Sequence, residues 1–240
     1  DINSVEDLVG KKIAVPRFSE AQTLVEWLLN NSGLTEAEKA QIRNDMVYCD
    51  TADETATAFF SGSVDAAATW EPYLTQAASS SDSRILFDTS MSSNLILDGV
   101  VFTKKFVENN EEFIEKWMEA ALTAAPMYKN EFKNIKQLPM FQLMTDADII
   151  DMANGADLAT CSQNIKLLSD VAVEMYKDMA NVWITVGETA YPDKAEAAFT
   201  DKFAKKLESK FAGMEADNGE KEFNAPSNIV IESPDALLSY

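Results

Sequence analysis

The 240-residue chain contains no histidine. That absence removes Ser-His-Asp and Cys-His catalysis, imidazole proton shuttling and every histidine-containing metal site. Two cysteines, Cys49 and Cys161, are too few for a disulfide scaffold or a four-thiolate metal centre, and buried cysteine behaves as a small hydrophobe. Basic residues are scarce as well. Twenty of them face 40 acidic ones, and a net charge of −20 repels phosphates and anionic lipid headgroups over most of the surface, so neither nucleic acid nor a membrane surface is an expected partner. The apolar runs all fall short of the roughly 20 residues that cross a bilayer. Also missing are GxxxxGK[ST], a GxGxxG after a strand and EF-hand spacing. Carboxylate, lysine or tyrosine chemistry remains open, but 40 acidic residues supply many chance pairs. The expectation from these absences is a chain without hydrolase, transferase or redox chemistry, with no catalytic residue, metal or cofactor.

What is present is an ordinary globular balance, 46% hydrophobic and 25% charged, enough to build a sizeable core in one large domain or two small lobes. The first hundred residues alternate short β-type runs with helical ones. KIAV (12–15), MVYC (46–49), VDAAAT (64–69) and 84–87 read as four strands. Leu24, Trp27, Leu28 and Leu29 recur at helical spacing within 19–31, Gly33 closes that helix, and 51–60 forms another that stops near Gly62. Strands separated by helices favour parallel pairing with right-handed crossovers, an open α/β sheet with ligands at the carboxyl ends of the strands. A site is therefore expected after Val15 and after Thr69. The stretch DGVVFTKKF (98–106) reads as a fifth strand and a turn. Beyond it the pattern is almost wholly helical: 111–130, with Phe113, Ile114, Trp117, Met118, Ala121 and Leu122 on one face, then 145–154, 162–186 and 198–212. Residues 213–227 are polar and turn-rich, and a short apolar run, NIVIE, follows, so 213–240 reads as a linker or strap.

Two local constellations carry chemistry. Arg17, Phe18, Ser19 and Gln22 form the turn from the first strand into its helix, where free backbone N–H groups and the positive helix end suit an anionic or polar ligand. The plainer account, with Ser19 as an N-cap and Arg17 as a solvated charge, stands equally beside it. Trp70 and Glu71 open WEPY at the end of the third strand, bringing an aromatic face and a carboxylate to a strand edge. There the plain alternative is lid packing by Trp70, with Glu71 and Pro72 as residues of a helix start.

The order SVEDLVGKKIAVP, a serine-bearing turn, LVEWLLNNSGLT, AFFSGSVDAAATWEPYL and SRILFDTS resembles the type II periplasmic solute-binding proteins of nitrate, sulfonate, taurine and thiamine-precursor importers. VWITVGETAYPDKAEAAFTDKFAKKL is similar to that family's closing pattern. The resemblance implies a periplasmic-binding-protein-like type II α/β fold: one open α/β lobe over 1–95, a helix-rich return segment of the other lobe over 96–212, and a tail. It implies solute capture between two lobes for an ABC importer, a permease as partner, and a periplasmic or extracellular place with a lipoprotein anchor. It also implies that the family's first strand-helix repeats are not in this sequence, which is then an excised or truncated piece, has its missing half-lobe on another chain, or sits inside a larger fusion that supplies a further domain. Carried over by position, Ser19 and Gln22 contact ligand, Trp70 and Glu71 face the cleft, and Asp98 opens the return segment. Phe18 stands where relatives often place glycine, which narrows the approach of backbone to ligand; with Trp70 it would wall a planar molecule. Two alternatives stay open: an envelope-associated sensor or fusion module using the same fold, and an enzyme on that fold, disfavoured because the related pyrimidine synthases depend on histidine and a cysteine-rich motif.

Overall fold

The computed structural model describes residues 2–91, 95–127, 131–142 and 144–213. The described residues divide into two compact units: 2–96 with Asp178–Ala190, and Leu97–Lys177 with 191–213. The apolar run NIVIE and the rest of the proposed strap after Gly213 lie outside the described residues.

The first unit is built on a parallel sheet of order β2-β1-β3, with β1 at Ile13–Pro16, β2 at Met46–Cys49 and β3 at Ala66–Ala67. β1 is buried along its whole length, as a central strand covered on both faces must be. Its register sets Ile13 against Met46 on one side and Ala66 on the other. Helix α1 (Glu20–Asn30) follows β1, α2 (Glu36–Asn44) precedes β2, α3 (Ala52–Phe60) leads to β3, and α4 (Tyr73–Ala78) follows it. Each of the first three starts at a side chain that accepts a backbone N–H: Ser19, Thr35 in a reciprocal capping box with Glu38, and Thr51. The core joins Ile13 and Val15 to Val25, Leu28 and Leu29 of α1, Ile42 of α2 and Leu95. Within it lies a buried ion pair: Arg43 Nε donates to Glu26 Oε2 at 2.9 Å, and Glu26 is only 1% exposed.

Two strand expectations in this unit need correction. The run 64–69 contributes only Ala66 and Ala67 to the sheet, because alanine has little β preference. Asp65 also folds back at its start, its carboxylate accepting the Lys12 N–H at 2.9 Å. Residues 84–87 form no ladder. Leu86 and Phe87 pack against the core, and Arg84 bonds Ile2 O and Asn3 Oδ1, so burial is satisfied without strand pairing.

Among its described residues the second unit is helical: α5 (Lys104–Asn109), α6 (Glu111–Ala124), α7 (Asp146–Asn154), α8 (Cys161–Lys166), a π-turn at Leu167–Val171, the start of α9 (Ala172–Thr185), α10 (Ala195–Ala198) and α11 (Lys202–Phe211). The expected fifth strand is absent here. Residues 98–103 are irregular and Thr103 starts α5 as its N-cap, accepting the Phe106 N–H at 3.2 Å. The face expected of α6 also divides, with Ile114 and Leu122 buried but Phe113 and Trp117 exposed. α6 and α11 run in the same direction at a constant offset. Three rungs join them: Lys202 to Glu111, Lys206 to Glu115 at 2.9 Å and Lys210 to Glu119 at 2.5 Å. Beside these rungs Leu122, Cys161, Leu207 and Phe211 form a small core.

Candidate functional site

The sheet order places the carboxyl ends of β2, β1 and β3 side by side on one edge of the first unit. Neighbouring strands lie about 4.8 Å apart, so the turn after Pro16 and the segment after Ala67 leave the sheet as neighbours. Ala68 N–H still donates to Ala14 O at 2.9 Å, which carries the β1–β3 register to the threshold of Thr69 and Trp70.

The turn after β1 is sharply made. Phe18 has φ 57°, in the left-handed region where a side chain is disfavoured and glycine is not. Gln22, 4% exposed, holds that conformation through Oε1, which accepts the Phe18 N–H at 2.7 Å. Ser19 is used twice: its hydroxyl donates to Pro16 O at 2.7 Å and accepts the Gln22 N–H at 3.2 Å. A hydroxyl carries one proton, so Ser19 in this state has none to offer an anion. The Thr23 N–H reaches Ser19 O, while the first two N–H groups of α1, on Glu20 and Ala21, have no acceptor among the described residues. Those two amides, with the positive end of an 11-residue helix, are what the turn can present to a polar or anionic group.

Aromatic groups flank the turn. Phe18 is 57% exposed, and its ring lies 5.9 Å from that of Trp183. The Arg17 guanidinium sits 4.8 Å from the Phe18 centroid and 5.3 Å from that of Tyr48, while its backbone N–H donates to Cys49 O at 3.2 Å. Burial, then the Glu26 carboxylate, push the Tyr48 phenol above its ordinary pKa, with Arg17 pulling the other way. After β3, Trp70 is 38% exposed and Thr69 Oγ1 is buried with no hydrogen-bond partner. Glu71 Oε2 accepts the Thr75 N–H at 3.0 Å and so serves the start of α4.

Of the expected site residues, six thus lie on the same sheet edge: Arg17, Phe18, Ser19, Gln22, Trp70 and Glu71. Ser19, Gln22 and Glu71 already hold backbone groups, so their contribution is chiefly to shape the turns. Asp98 belongs to the second unit. The sequence reading missed Tyr48 and Trp183. Tyr48 carried a signal, since MVYC ends at the same sheet edge; Trp183 carried none, being 165 positions from the ring it meets. A cavity of about 720 Å³ lies in the first unit, lined by Leu24, Leu28, Phe59, Leu74 and Leu86 among others. It meets the strand-end edge at Ala21, Ala68 and Thr69, and Lys11, Asp65 and Arg84 line it beside the apolar side chains.

A small parallel sheet flanked by capped helices is an open α/β arrangement, the class in which ligands sit at the carboxyl ends of the strands. The structure aligns with the crystal structure of the periplasmic aliphatic sulphonate binding protein SsuA from Escherichia coli, at TM-score 0.58 and 18% identity, over 85% of this chain and 66% of that one. At that identity the likeness is one of fold, and the chain spans just under two thirds of SsuA. Residues 1–131, more than half of the chain, match the NMT1/THI5 like family, and the chain belongs to it. No curated protein sequence matches it. No helix among the described residues is long and apolar enough to cross a membrane.

Proposed function

We propose that this chain is the solute-binding component of an ABC importer and that the strand-end edge of its first unit forms one wall of the solute site. The observation that carries the reading is the left-handed turn at Phe18, held by the buried Gln22, with the Glu20 and Ala21 amides uncommitted in the same turn and the Phe18 ring exposed. Such a wall suits a small polar or anionic molecule with an apolar or planar part: the oxyanion takes the amides, and Phe18 and Trp70 take the rest. Glu20, and Glu71 through the oxygen that the Thr75 N–H does not occupy, favour a ligand that also donates a hydrogen bond, so an amino-sulfonate such as taurine or an aminopyrimidine fits better than nitrate. The role is binding without turnover, in keeping with a sequence free of histidine. An ABC permease, a further domain or chain completing the other lobe, and a periplasmic or extracellular place with a lipoprotein anchor belong to the same proposal.

Calorimetry with nitrate, taurine, alkyl sulfonates and aminopyrimidines, on the intact chain and on Trp70→Ala, tests it. The expected result is saturable binding of a sulfonate or heterocycle that weakens in the variant. Binding of nitrate alone, or turnover that persists in rigorously purified protein, would defeat the reading.

A further inference from the structure

Ala21, Leu24, Val25 and Leu28 recur at helical spacing and form one face of α1. A face of that kind is ordinarily closed by a packed core. Here all four residues line the cavity of about 720 Å³, with Phe59 of α3 and Leu74 of α4 also in its wall. Leu24, Phe59 and Leu74 are only half-buried. Helix α4 has no buried residue at all, and its Leu74 and Ala77 line this space. Protein interiors hold few voids larger than a water molecule, whereas ligand pockets measure about 300–1,000 Å³. The cavity belongs to the second class by size.

Its two ends differ in what they offer. At the carboxyl end of the strands Ala21 belongs to both features, because its N–H is one of the two uncommitted amides and its side chain lines the cavity. Thr69 Oγ1, buried and without a hydrogen-bond partner, lies at the same mouth. Two N–H groups and one O–H are thus available to an oxyanion there. At the amino end lie Lys11, Asp65 and Arg84. Asp65 accepts the Lys12 N–H, and Arg84 donates to Ile2 O and Asn3 Oδ1, so two of these three are committed within the chain. From Ala21 to Leu28 the wall of α1 runs about 10 Å, the length of an extended alkyl chain of about eight carbons.

We propose that this cavity holds the alkyl chain of the solute: an unbranched amphiphile sets its anionic head at the Glu20 and Ala21 amides and buries about eight carbons along Leu24, Leu28, Phe59 and Leu74. The inference rests on the solute-site reading above and deepens it by naming the apolar part of the ligand. A cationic head would meet N–H donors and the positive end of α1, so an anion is the sign that fits. Each methylene taken from water into an apolar wall is worth about a fourfold gain in affinity. The plainer alternative is that 84–87 moves onto the open outer edge of β3, which lines the same space, and fills it. A lobe closed in that way has no room for a chain.

Calorimetry of the intact chain with methane-, butane-, hexane-, octane- and dodecanesulfonate tests the proposal. Affinity should rise about fourfold per methylene up to about eight carbons and then stop rising. Octylamine, with the same chain and a cationic head, should bind at least about tenfold more weakly than octanesulfonate. Leu74→Trp fills the cavity from a half-buried position and should flatten the series, while Ala77→Leu, a smaller change on the same helix, should lower its slope. Circular dichroism melts establish that both variants fold. A flat series in the unaltered chain overturns the chain site and leaves the solute reading standing; it is the result expected if 84–87 closes onto β3. No binding by any member overturns both. A slope kept in folded Leu74→Trp overturns the proposal, as does octylamine binding as well as octanesulfonate. Loss of octanesulfonate affinity in Lys11→Met overturns it too, because the head then sits at the other end.

Discussion

Replacing Phe18 with glycine and, separately, with alanine separates the backbone of the turn from its ring. Both variants lose the Trp183 contact at 5.9 Å and the Arg17 guanidinium at 4.8 Å. An aromatic pair contributes about 0.5–1.5 kcal/mol beyond area burial, and an exposed cation–π contact about 0.5–1 kcal/mol. Phe18→Ala should therefore cost about 1–2.5 kcal/mol, since alanine keeps the left-handed penalty. Glycine releases that penalty, about 1–2 kcal/mol, but adds about 0.4–1 kcal/mol of unfolded-state freedom. Phe18→Gly should thus be the more stable of the two by up to about 1.6 kcal/mol, although it is the variant usually expected to loosen a chain. Urea melts followed by tryptophan fluorescence resolve that difference, with Trp183 as the nearby reporter. If alanine is the more stable of the two, the φ of 57° is not the native state and the account of the turn fails.

Trp70→Ala should weaken binding of the best ligand about two- to tenfold, the loss of one aromatic contact, and an unchanged calorimetric affinity would remove Trp70 from the site. Arg43→Met leaves the Glu26 carboxylate buried and unpaired and should cost about 3–5 kcal/mol in a denaturant melt, whereas replacing both partners with apolar residues should cost far less. The chain should lose stability in acid. A hydrogen bond from Lys202 to Glu111, one from Lys116 to Glu112 and one from Lys136 to Asp146 each hold a carboxyl pKa below its ordinary value. Stability from these groups is complete above the ordinary carboxylate pKa and is lost as pH falls through the lower folded values. In circular dichroism melts across that range, Lys202→Met should make the dependence shallower; an unchanged slope would remove the α6–α11 rungs from the acid response.

The parallel lobe was readable because its punctuation is local. Ser19 before a periodic apolar run, and Thr51 likewise, announce helix starts, and the β1 and β2 runs are continuous and apolar. Helix α2 carried the same kind of signal in Thr35-Glu36-Ala37-Glu38, a capping box that the strand-centred reading passed over. Residues 84–87 and 98–103 show the limit. Their composition states a β preference, but a strand exists only where another backbone accepts its ladder, and composition does not say whether a partner is present. Thr103 tips the second case further, since a threonine followed three residues later by an available N–H starts a helix. At the site, sequence order placed Arg17, Phe18 and Trp70 on one edge through the strands that precede them. It gave no account of Ser19 spending its proton on Pro16 O, because a side chain's hydrogen-bond choices depend on turn geometry. Trp183 came to Phe18 from a distant segment with no local mark.

Hydrogen exchange on the intact chain, with and without saturating taurine or hexanesulfonate, measures the central claim directly. The account predicts slowed exchange at the Glu20 and Ala21 amides and through the turns after β1 and β3, around Phe18 and Trp70. Protection confined to other segments, or none with any sulfonate or aminopyrimidine that calorimetry shows to bind, would contradict it.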